Sequence, residues 1–183
     1  MYIDASHGFN MIDIISKPDC KDFEGLFANL PGEHLVNPSK GVVRTLLRSH
    51  PERPLILCGH GDPGGLYNKD WNGYVVDSNI VDMLRKQQCI IGVWCYASEF
   101  ADKYGLKGFF TSMFISTEEE SIYEQRPGTA EDITNENKLF CKRLNRCIRE
   151  NSWINDWPRE LCRKANIMKP FVRFNYEALA VYD

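Results

Sequence analysis

The chain has 183 residues, of which 43% are hydrophobic and 26% are charged, and its formal net charge at pH 7 is −3. This composition is ordinary for a soluble globular protein, and the length suits a single domain over 1–183 that buries about 70% of its unfolded surface. The small negative charge gives no reason to expect nucleic acid or an anionic membrane as a partner. Because no apolar run approaches the ~18 residues of a membrane span and the N-terminus has no signal-peptide pattern, we expect a cytoplasmic protein.

Apolar runs predict the elements in the first third of the chain. Phe9 to Ile15 is a candidate strand, and Glu33 to Val36 is a short edge strand after a loop-rich stretch. A helix follows from Pro38-Ser39 to about His50-Pro51, and its predicted buried face is formed by Val42, Val43, Leu46 and Leu47. Strands alternating with helices favour right-handed crossovers and a mostly parallel sheet.

Two short hydrophobic runs each end beside a chemically reactive residue. Pro54 to Cys58 leads to His60, and Cys89 to Val93 leads to Cys95. Both runs predict buried strands of a parallel sheet, because they do not alternate between apolar and polar residues. The carboxyl ends of neighbouring parallel strands open on the same edge, so His60 and Cys95 are expected to meet there. A cysteine nucleophile is activated by an adjacent general base, and an imidazole beside the thiol can be that base.

The segment between these strands predicts a hairpin and a helix. Asn72-Gly73 is a two-residue turn signal that precedes the strand-like Tyr74 to Val76. Asp77-Ser78 is expected to cap a helix from Asn79 to about Lys86.

The chain after Cys95 predicts further helices and strands. A short helix over Ser98 to Tyr104 precedes a buried strand over Gly108 to Ile115, and the polar stretch from Ser121 to Thr134 predicts an exposed loop. Glu131 to about Arg149 is moderately amphipathic and predicts a helix whose packing residues include Leu139. A second short helix is expected to be anchored by Trp153, Trp157 and Leu161. The aromatic run from Phe171 to Tyr182 predicts an edge strand, placed beside the N-terminal strand.

The order strand, His-Gly, helix, strand, Cys resembles the caspase-like (clan CD) cysteine peptidases. Gly59-His60-Gly61, with the hairpin that follows, is most similar to bacterial CHAT and gingipain-type domains, and the resemblance covers roughly residues 54–120. It implies a three-layer α/β fold with a mostly parallel central sheet and helices on both faces. It also implies a thiol-dependent endopeptidase that needs no cofactor and no metal, in which Cys95 forms an acyl-enzyme and His60 is the general base and acid.

The resemblance also implies where substrate would be held. The backbone N–H groups of Gly61 and Cys95 would form the oxyanion hole. Residues in the family's substrate-binding positions are Lys17, Trp94, Ser116 and Glu118. Lys17 would favour an acidic substrate side chain and Asp19 or Glu118 a basic one, so the preference stays open. Glu118 to Glu120 is also interpretable as a solvated acidic run.

Alternatives to an active peptidase also follow from the residues. Relatives usually have a small residue before the catalytic Cys, whereas Trp94 can fill the space that a substrate side chain would use. The alternative function is therefore a catalytically silent domain of the same fold that binds a regulatory protein partner. A weaker idea is a metal site formed by His60, Asp62 and Cys95, whose spacing is not that of a typical site.

The remaining cysteines and histidines carry no predicted role. Seven cysteines are an odd number, and three of them lie in strand-like apolar runs, so a disulfide framework is not expected. His7 precedes its strand and would lie at the opposite end of the sheet from His60. His34 and His50 are expected at the surface.

Overall fold

The computed structural model describes residues 1–150 and 153–183, and the side chains of all of these except residues 18 and 19. The described chain is an α/β structure whose strands, in chain order, are β1 (Phe9–Asp13), β2 (Gly32–Val36), β3 (Leu55–Cys58), β4 (Gly61–Asp62), β5 (Gly65–Tyr67), β6 (Tyr74–Val76), β7 (Ile90–Val93), β8 (Gly108–Thr111) and β9 (Leu179–Tyr182). Six of them form a central sheet in the order β2-β1-β3-β7-β8-β9, and β4-β5-β6 form a small second sheet. The central sheet is parallel except for β9, which confirms the predicted mostly parallel sheet.

The helices connect and cover these strands. They are α1 (Lys40–Ser49), α2 (Val81–Leu84), α3 (Ala97–Tyr104), α4 (Glu118–Tyr123), α5 (Ala130–Arg149), α6 (Trp157–Arg163) and α7 (Pro170–Glu177). Ser39 caps α1 by accepting a hydrogen bond from the Val42 N–H at 3.4 Å, and Gly105 ends α3 in the left-handed conformation. Within the described residues, no helix is both long and apolar enough to cross a bilayer.

Alternate residues of the central strands pack into two separate hydrophobic clusters. All residues of β1, β3, β7 and β8 are buried, which the sequence predicted for β3, β7 and β8. One cluster contains Met11, Ile56, Ile91 and Phe109 together with side chains of α5 and α6. The other contains Ile12, Leu57, Ile90 and Phe110 together with side chains of α1 and α3. Each fully buried Leu, Ile or Phe contributes about 1.5–3 kcal/mol, so both faces of the sheet are needed for stability.

Strands β1, β3 and β7, which are neighbours in the central sheet, end at the same level. Asp13 of β1 pairs with Cys58 of β3, and Cys58 pairs with Val93 of β7. Because the strands are parallel, the segments that follow them leave the sheet together at its carboxyl edge. His60 and Cys95 each lie two residues beyond this level.

The predicted loop over residues 121–134 is wrong. Helix α4 begins inside a capping box, in which Thr117 Oγ1 accepts from the Glu120 N–H and the Glu120 carboxylate accepts from the Thr117 N–H. Thr129 then caps α5 by accepting from the Asp132 N–H at 3.2 Å. Two N-terminal caps therefore stabilise helices in a polar stretch, and only the six residues between α4 and α5 form the connection.

The predicted position of the C-terminal strand is also wrong. Residues 170–177 form α7, and only Leu179–Tyr182 are extended, as β9. Strand β9 pairs antiparallel with β8, at the edge of the sheet opposite to β2. Aromatic and β-branched residues suggested a strand, but Pro170 starts a helix and the buried residues of α7 follow helical spacing, namely Phe171, Val172, Asn175 and Tyr176.

Other predicted elements differ in length. The β5–β6 hairpin is present, but residues 68–73 connect it in place of a two-residue turn, because the Asn68 side chain binds the backbone N–H groups of Asp70 and Asn72. The helix predicted over Asn79–Lys86 is a 3-10 turn followed by α2. Strand β8 ends at Thr111, four residues earlier than predicted.

Three predicted core residues face solvent. Val42 is 46% exposed, Leu139 is 42% exposed and Trp153 is 50% exposed. Val42 lies about 40° around its helix from the buried Leu46, and Leu139 lies about 60° from the buried Glu136, so both are at the edge of the packed face. Trp153 precedes α6 and packs on the Tyr2 ring at 4.4 Å between ring centroids.

Candidate active site

The sheet brings the two predicted reactive residues to one place. Strands β3 and β7 are hydrogen-bonded neighbours, and each is followed by one residue and then by His60 or Cys95. Both side chains line a narrow cavity of about 30 Å³ at the carboxyl edge of the sheet. The remaining lining residues include Asp13, Cys20, Phe23, Cys58, Phe114 and Ser116. The cavity thus combines an imidazole, three thiols and a carboxyl group.

Cys95 lies at a sharp turn from a strand into a helix. It follows β7, and the next residue, Tyr96, has a left-handed φ of 66° and caps α3. That conformation costs about 1–2 kcal/mol for a residue other than glycine, and such positions cluster at functional sites. The half-buried Cys95 Sγ donates to the Phe114 carbonyl oxygen at 3.5 Å. Because Cys95 immediately precedes the N-terminus of α3, the helix dipole favours a thiolate at this position.

His60 is held by the small second sheet. Its carbonyl oxygen accepts a hydrogen bond from the Tyr67 N–H at 2.9 Å, which fixes the turn that follows β3. Its ring lies against Trp71, with ring centroids 5.1 Å apart. Trp71 stacks in turn on Tyr67 at 5.2 Å, so β5 and its loop form an aromatic wall beside the imidazole.

Cys20 is a site residue that the sequence analysis missed. It lies in the 3-10 segment Pro18–Leu26 that follows β1, is 6% exposed and hydrogen-bonds to the His60 ring. Burial by itself would raise the pKa of the Cys20 thiol, but the hydrogen bond and charge of His60, together with backbone hydrogen bonds from Ser16 and Lys17, outweigh burial and lower that pKa. The available signal was positional, because Cys20 follows the carboxyl end of a strand adjacent to β3.

Asp13 is a second residue that the sequence analysis missed. It ends β1, is 3% exposed and lies 3.7 Å from His34, measured from Oδ2 to Nε2. Burial, together with the negative charge of Glu24, raises the pKa of Asp13 to about 7. The available signal was an acidic residue inside the predicted strand Phe9 to Ile15, whose other residues except Asn10 are apolar.

The residues predicted to bind substrate are placed at different distances from the cavity. Ser116 lines it, and its N–H and Oγ donate to the Glu120 carboxylate at 2.7 and 2.9 Å. Lys17 Nζ lies 4.5 Å from the centroid of the Trp71 ring, near His60. Glu118 is exposed in the first turn of α4, and the Asp19 side chain lies outside the described part of the structure.

Trp94 borders the cavity, but its indole packs into the hydrophobic cluster with α1 and α3, whereas Cys95 packs against the other cluster. Trp94 is 2% exposed. A Cβ at Gly61 would lie 2.3 Å from Trp94 Cδ1 and 2.4 Å from the Gly65 carbonyl oxygen. The glycine after His60 is therefore required by the close approach of the loop to the indole.

Asp62 does not face a metal site. Its carboxylate accepts hydrogen bonds from the Tyr67 and Tyr74 hydroxyls and from the Gly64 N–H. Among the side chains that the structure describes, no three of His, Cys, Asp or Glu are grouped so that they could hold a metal ion. None of the seven cysteines, all of which lie in the described chain, forms a disulfide.

Comparison of the chain with protein-family models, with curated proteins and with solved structures found no match. The function must therefore be inferred from the chemistry of the cavity.

Proposed function

We propose that this chain is a thiol-dependent endopeptidase with a three-layer caspase-like fold, in which Cys95 is the nucleophile and His60 is the general base and acid. The observation that carries the proposal is the convergence of both side chains on one cavity from adjacent parallel strands. The division of strand residues between two hydrophobic clusters, each with its own helices, supports the layered arrangement.

The reaction would proceed through an acyl-enzyme. His60 accepts the Cys95 proton, and the thiolate attacks the peptide carbonyl carbon to give a tetrahedral oxyanion. The backbone N–H groups of Gly61 and Cys95 would stabilise that charge, each by about 3 kcal/mol. Collapse of the intermediate expels the amine, which takes the proton from His60, and leaves a thioester on Cys95. Water, deprotonated by His60, then hydrolyses the thioester.

The packing of Trp94 supports an active enzyme. Its indole contacts the cluster on the face of the sheet opposite to Cys95, so it need not occupy the space beside the thiol. The size of the cavity supports the second candidate function, a catalytically silent domain that binds a protein partner. About 30 Å³ is too little for most substrate side chains, so an active enzyme would have to widen this cavity when it binds a peptide.

The test is cleavage of a diverse fluorogenic peptide library by the wild-type chain and four variants. We expect Cys95→Ala to abolish cleavage and His60→Ala to reduce it by several orders of magnitude, with thermal unfolding showing that both variants remain folded. Cys162→Ala, outside the cavity, is the matched control and should cleave like the wild type. Cys20→Ala tests the rival thiol, and loss of cleavage in that variant alone would move the nucleophile from Cys95 to Cys20.

A wild-type chain that cleaves no peptide in the library would favour the second candidate, a domain that binds a protein partner without catalysis. In that case Trp94→Ala separates the two candidates. Cleavage that appears in this variant and disappears again when Cys95 is also replaced would show an intact catalytic pair. A Trp94→Ala variant that remains folded and still cleaves no peptide would contradict the proposed peptidase.

A further inference from the structure

The candidate active site holds a second thiol within reach of the same imidazole. The 3-10 segment after β1 directs Cys20 to His60, while β7 brings Cys95 to the same cavity. Cys20 Sγ also lies 3.8 Å from Ser16 Oγ, so a hydroxyl group accompanies the imidazole around this sulfur. A peptidase that uses Cys95 and His60 has no need of this second thiol.

The cavity between these groups fits a very small molecule. A water molecule needs roughly 10–15 Å³ of such space, so the volume of about 30 Å³ holds about two water-sized groups. Hydrogen peroxide has two oxygen atoms and is of this size. The cavity, as the structure shows it, therefore admits a peroxide molecule beside both thiols.

We propose that Cys20 and Cys95 form a peroxide-reactive pair, in which hydrogen peroxide oxidises Cys20 to a sulfenic acid that then condenses with Cys95 to a disulfide. In the first step the Cys20 thiolate attacks one peroxide oxygen, an S–O bond forms and the O–O bond breaks. The sulfur is oxidised, the peroxide is reduced, and the leaving hydroxide takes a proton from the His60 imidazolium to become water. In the second step His60, now neutral, takes the proton of the Cys95 thiol. The resulting thiolate attacks the Cys20 sulfur, an S–S bond forms and the S–O bond breaks, and the leaving hydroxide takes that proton from His60 to become a second water.

Four of the other thiols are unfavourable sites for this reaction. Burial raises the pKa of the Cys58 and Cys141 thiols well above the ordinary value, and it raises the pKa of Cys89 to about 12 and that of Cys147 to about 11. For Cys20, the imidazole and the backbone hydrogen bonds from Ser16 and Lys17 together outweigh burial and lower the pKa. Since peroxide reacts with the thiolate, Cys20 should be oxidised on the order of ten-fold or more faster than these four.

The disulfide would make the proposed peptidase redox-sensitive, because it occupies the nucleophile. The thiol chemistry itself does not rest on the proposed function, so it can be tested in a chain that cleaves nothing. Reduction by a dithiol should restore both thiols, since disulfide formation is reversible whereas sulfinic acid formation is not.

The experiment treats the reduced wild-type chain with hydrogen peroxide, blocks remaining thiols with iodoacetamide, and maps the peptides by mass spectrometry without reduction. The expected product links the peptide containing Cys20 to the one containing Cys95, and dithiothreitol removes the link. In Cys95→Ser, which lacks the resolving thiol, dimedone should trap a sulfenic acid on Cys20. Cys162→Ser is the matched control and should form the same link as the wild type.

Two results would overturn the proposal. One is Cys20 that remains fully alkylatable after the wild type has been exposed to peroxide. The other is a disulfide that joins Cys58, and not Cys20, to Cys95. Both are read from the wild-type chain, so they hold even where a variant fails to fold. Loss of peptide cleavage without the Cys20–Cys95 link would count against this pair while leaving the proposed peptidase intact.

Discussion

Replacing Asp13 by Asn should change how the stability of the chain depends on pH. The carboxyl group is buried, and its pKa is raised from 3.8 to about 7 in the folded state. The ionisable groups facing it are Glu24, His34, Cys58 and Cys141. Asn has nearly the same shape and does not ionise, so a comparison of the two chains isolates the titration of this single group.

The sign of the effect follows from proton binding. Below about pH 4 the carboxyl group is protonated in both states. Between about pH 4 and pH 7 the unfolded chain gives up a proton that the folded chain keeps, so the free energy of unfolding falls as the pH rises. Above about pH 7 the folded state also ionises and the loss levels off. At about 1.36 kcal/mol per pH unit, the fall between pH 5 and pH 8 amounts to about 2.5 kcal/mol.

The assay is urea unfolding of the wild type and Asp13→Asn at four pH values between 5 and 8. The free energy of unfolding of the wild type, relative to the variant, should fall by about 2.5 kcal/mol over this range. Because His34 lies beside Asp13 and burial lowers its pKa from 6.5, the same pair is measured with His34→Gln in both chains. The effect should persist there. If the wild type and the variant change in parallel with pH, Asp13 is not a buried acid with a raised pKa.

Two further predictions concern packing around the site and behind it. The Tyr176 hydroxyl donates to Glu136 at 3.0 Å and accepts from Arg143 at 2.6 Å. Tyr176→Phe removes both hydrogen bonds, so it should lower the free energy of unfolding, measured in urea, by about 1.5–3 kcal/mol. The control is Tyr123→Phe at the surface, which should change this free energy by less than about 0.5 kcal/mol. Equal effects of the two substitutions would show that this network does not stabilise the fold. Gly61→Ala places a Cβ against Trp94, so it should lower the free energy of unfolding by about 1–3 kcal/mol. The control is Gly41→Ala in the exposed first turn of α1, which should leave this free energy unchanged or raise it slightly. A Gly61→Ala chain as stable as the wild type would mean that the loop can move away from the indole.

The elements that the sequence predicted best are those whose signal is local and strong. β3 and β7 are short uninterrupted apolar runs, and α3 ends at a glycine, so both the strands and the helix end followed from neighbouring residues. The C-terminal segment was harder, because Phe171 and Tyr176 suit either a strand or a packed helix. There the helix is stabilised by packing on α5, which includes the contact between Tyr176 and Phe140 at 5.7 Å between ring centroids. Tertiary contacts of this kind have no local signature.

The candidate site was predictable in part for the same reason. His60 and Cys95 follow strands, so the rule that parallel strands open on one edge was enough to pair them. Cys20 follows β1 after an irregular segment, and nothing in its neighbours fixes the direction in which that segment turns. Asp13 was included in a predicted strand as an ordinary residue. Its raised pKa arises from burial against other elements, which only the folded chain supplies.

Trp94 links the two halves of the candidate site. A Cβ at Gly92 would lie 2.7 Å from Trp94 Cζ3, just as a Cβ at Gly61 would meet Cδ1, so one ring is fitted between two glycines. Gly92 belongs to the strand that carries Cys95, and Gly61 follows His60. The indole thus fixes the distance between the two segments from beneath the sheet edge, on the face away from the thiol. A large residue before Cys95 is compatible with an accessible thiol as long as both glycines are kept.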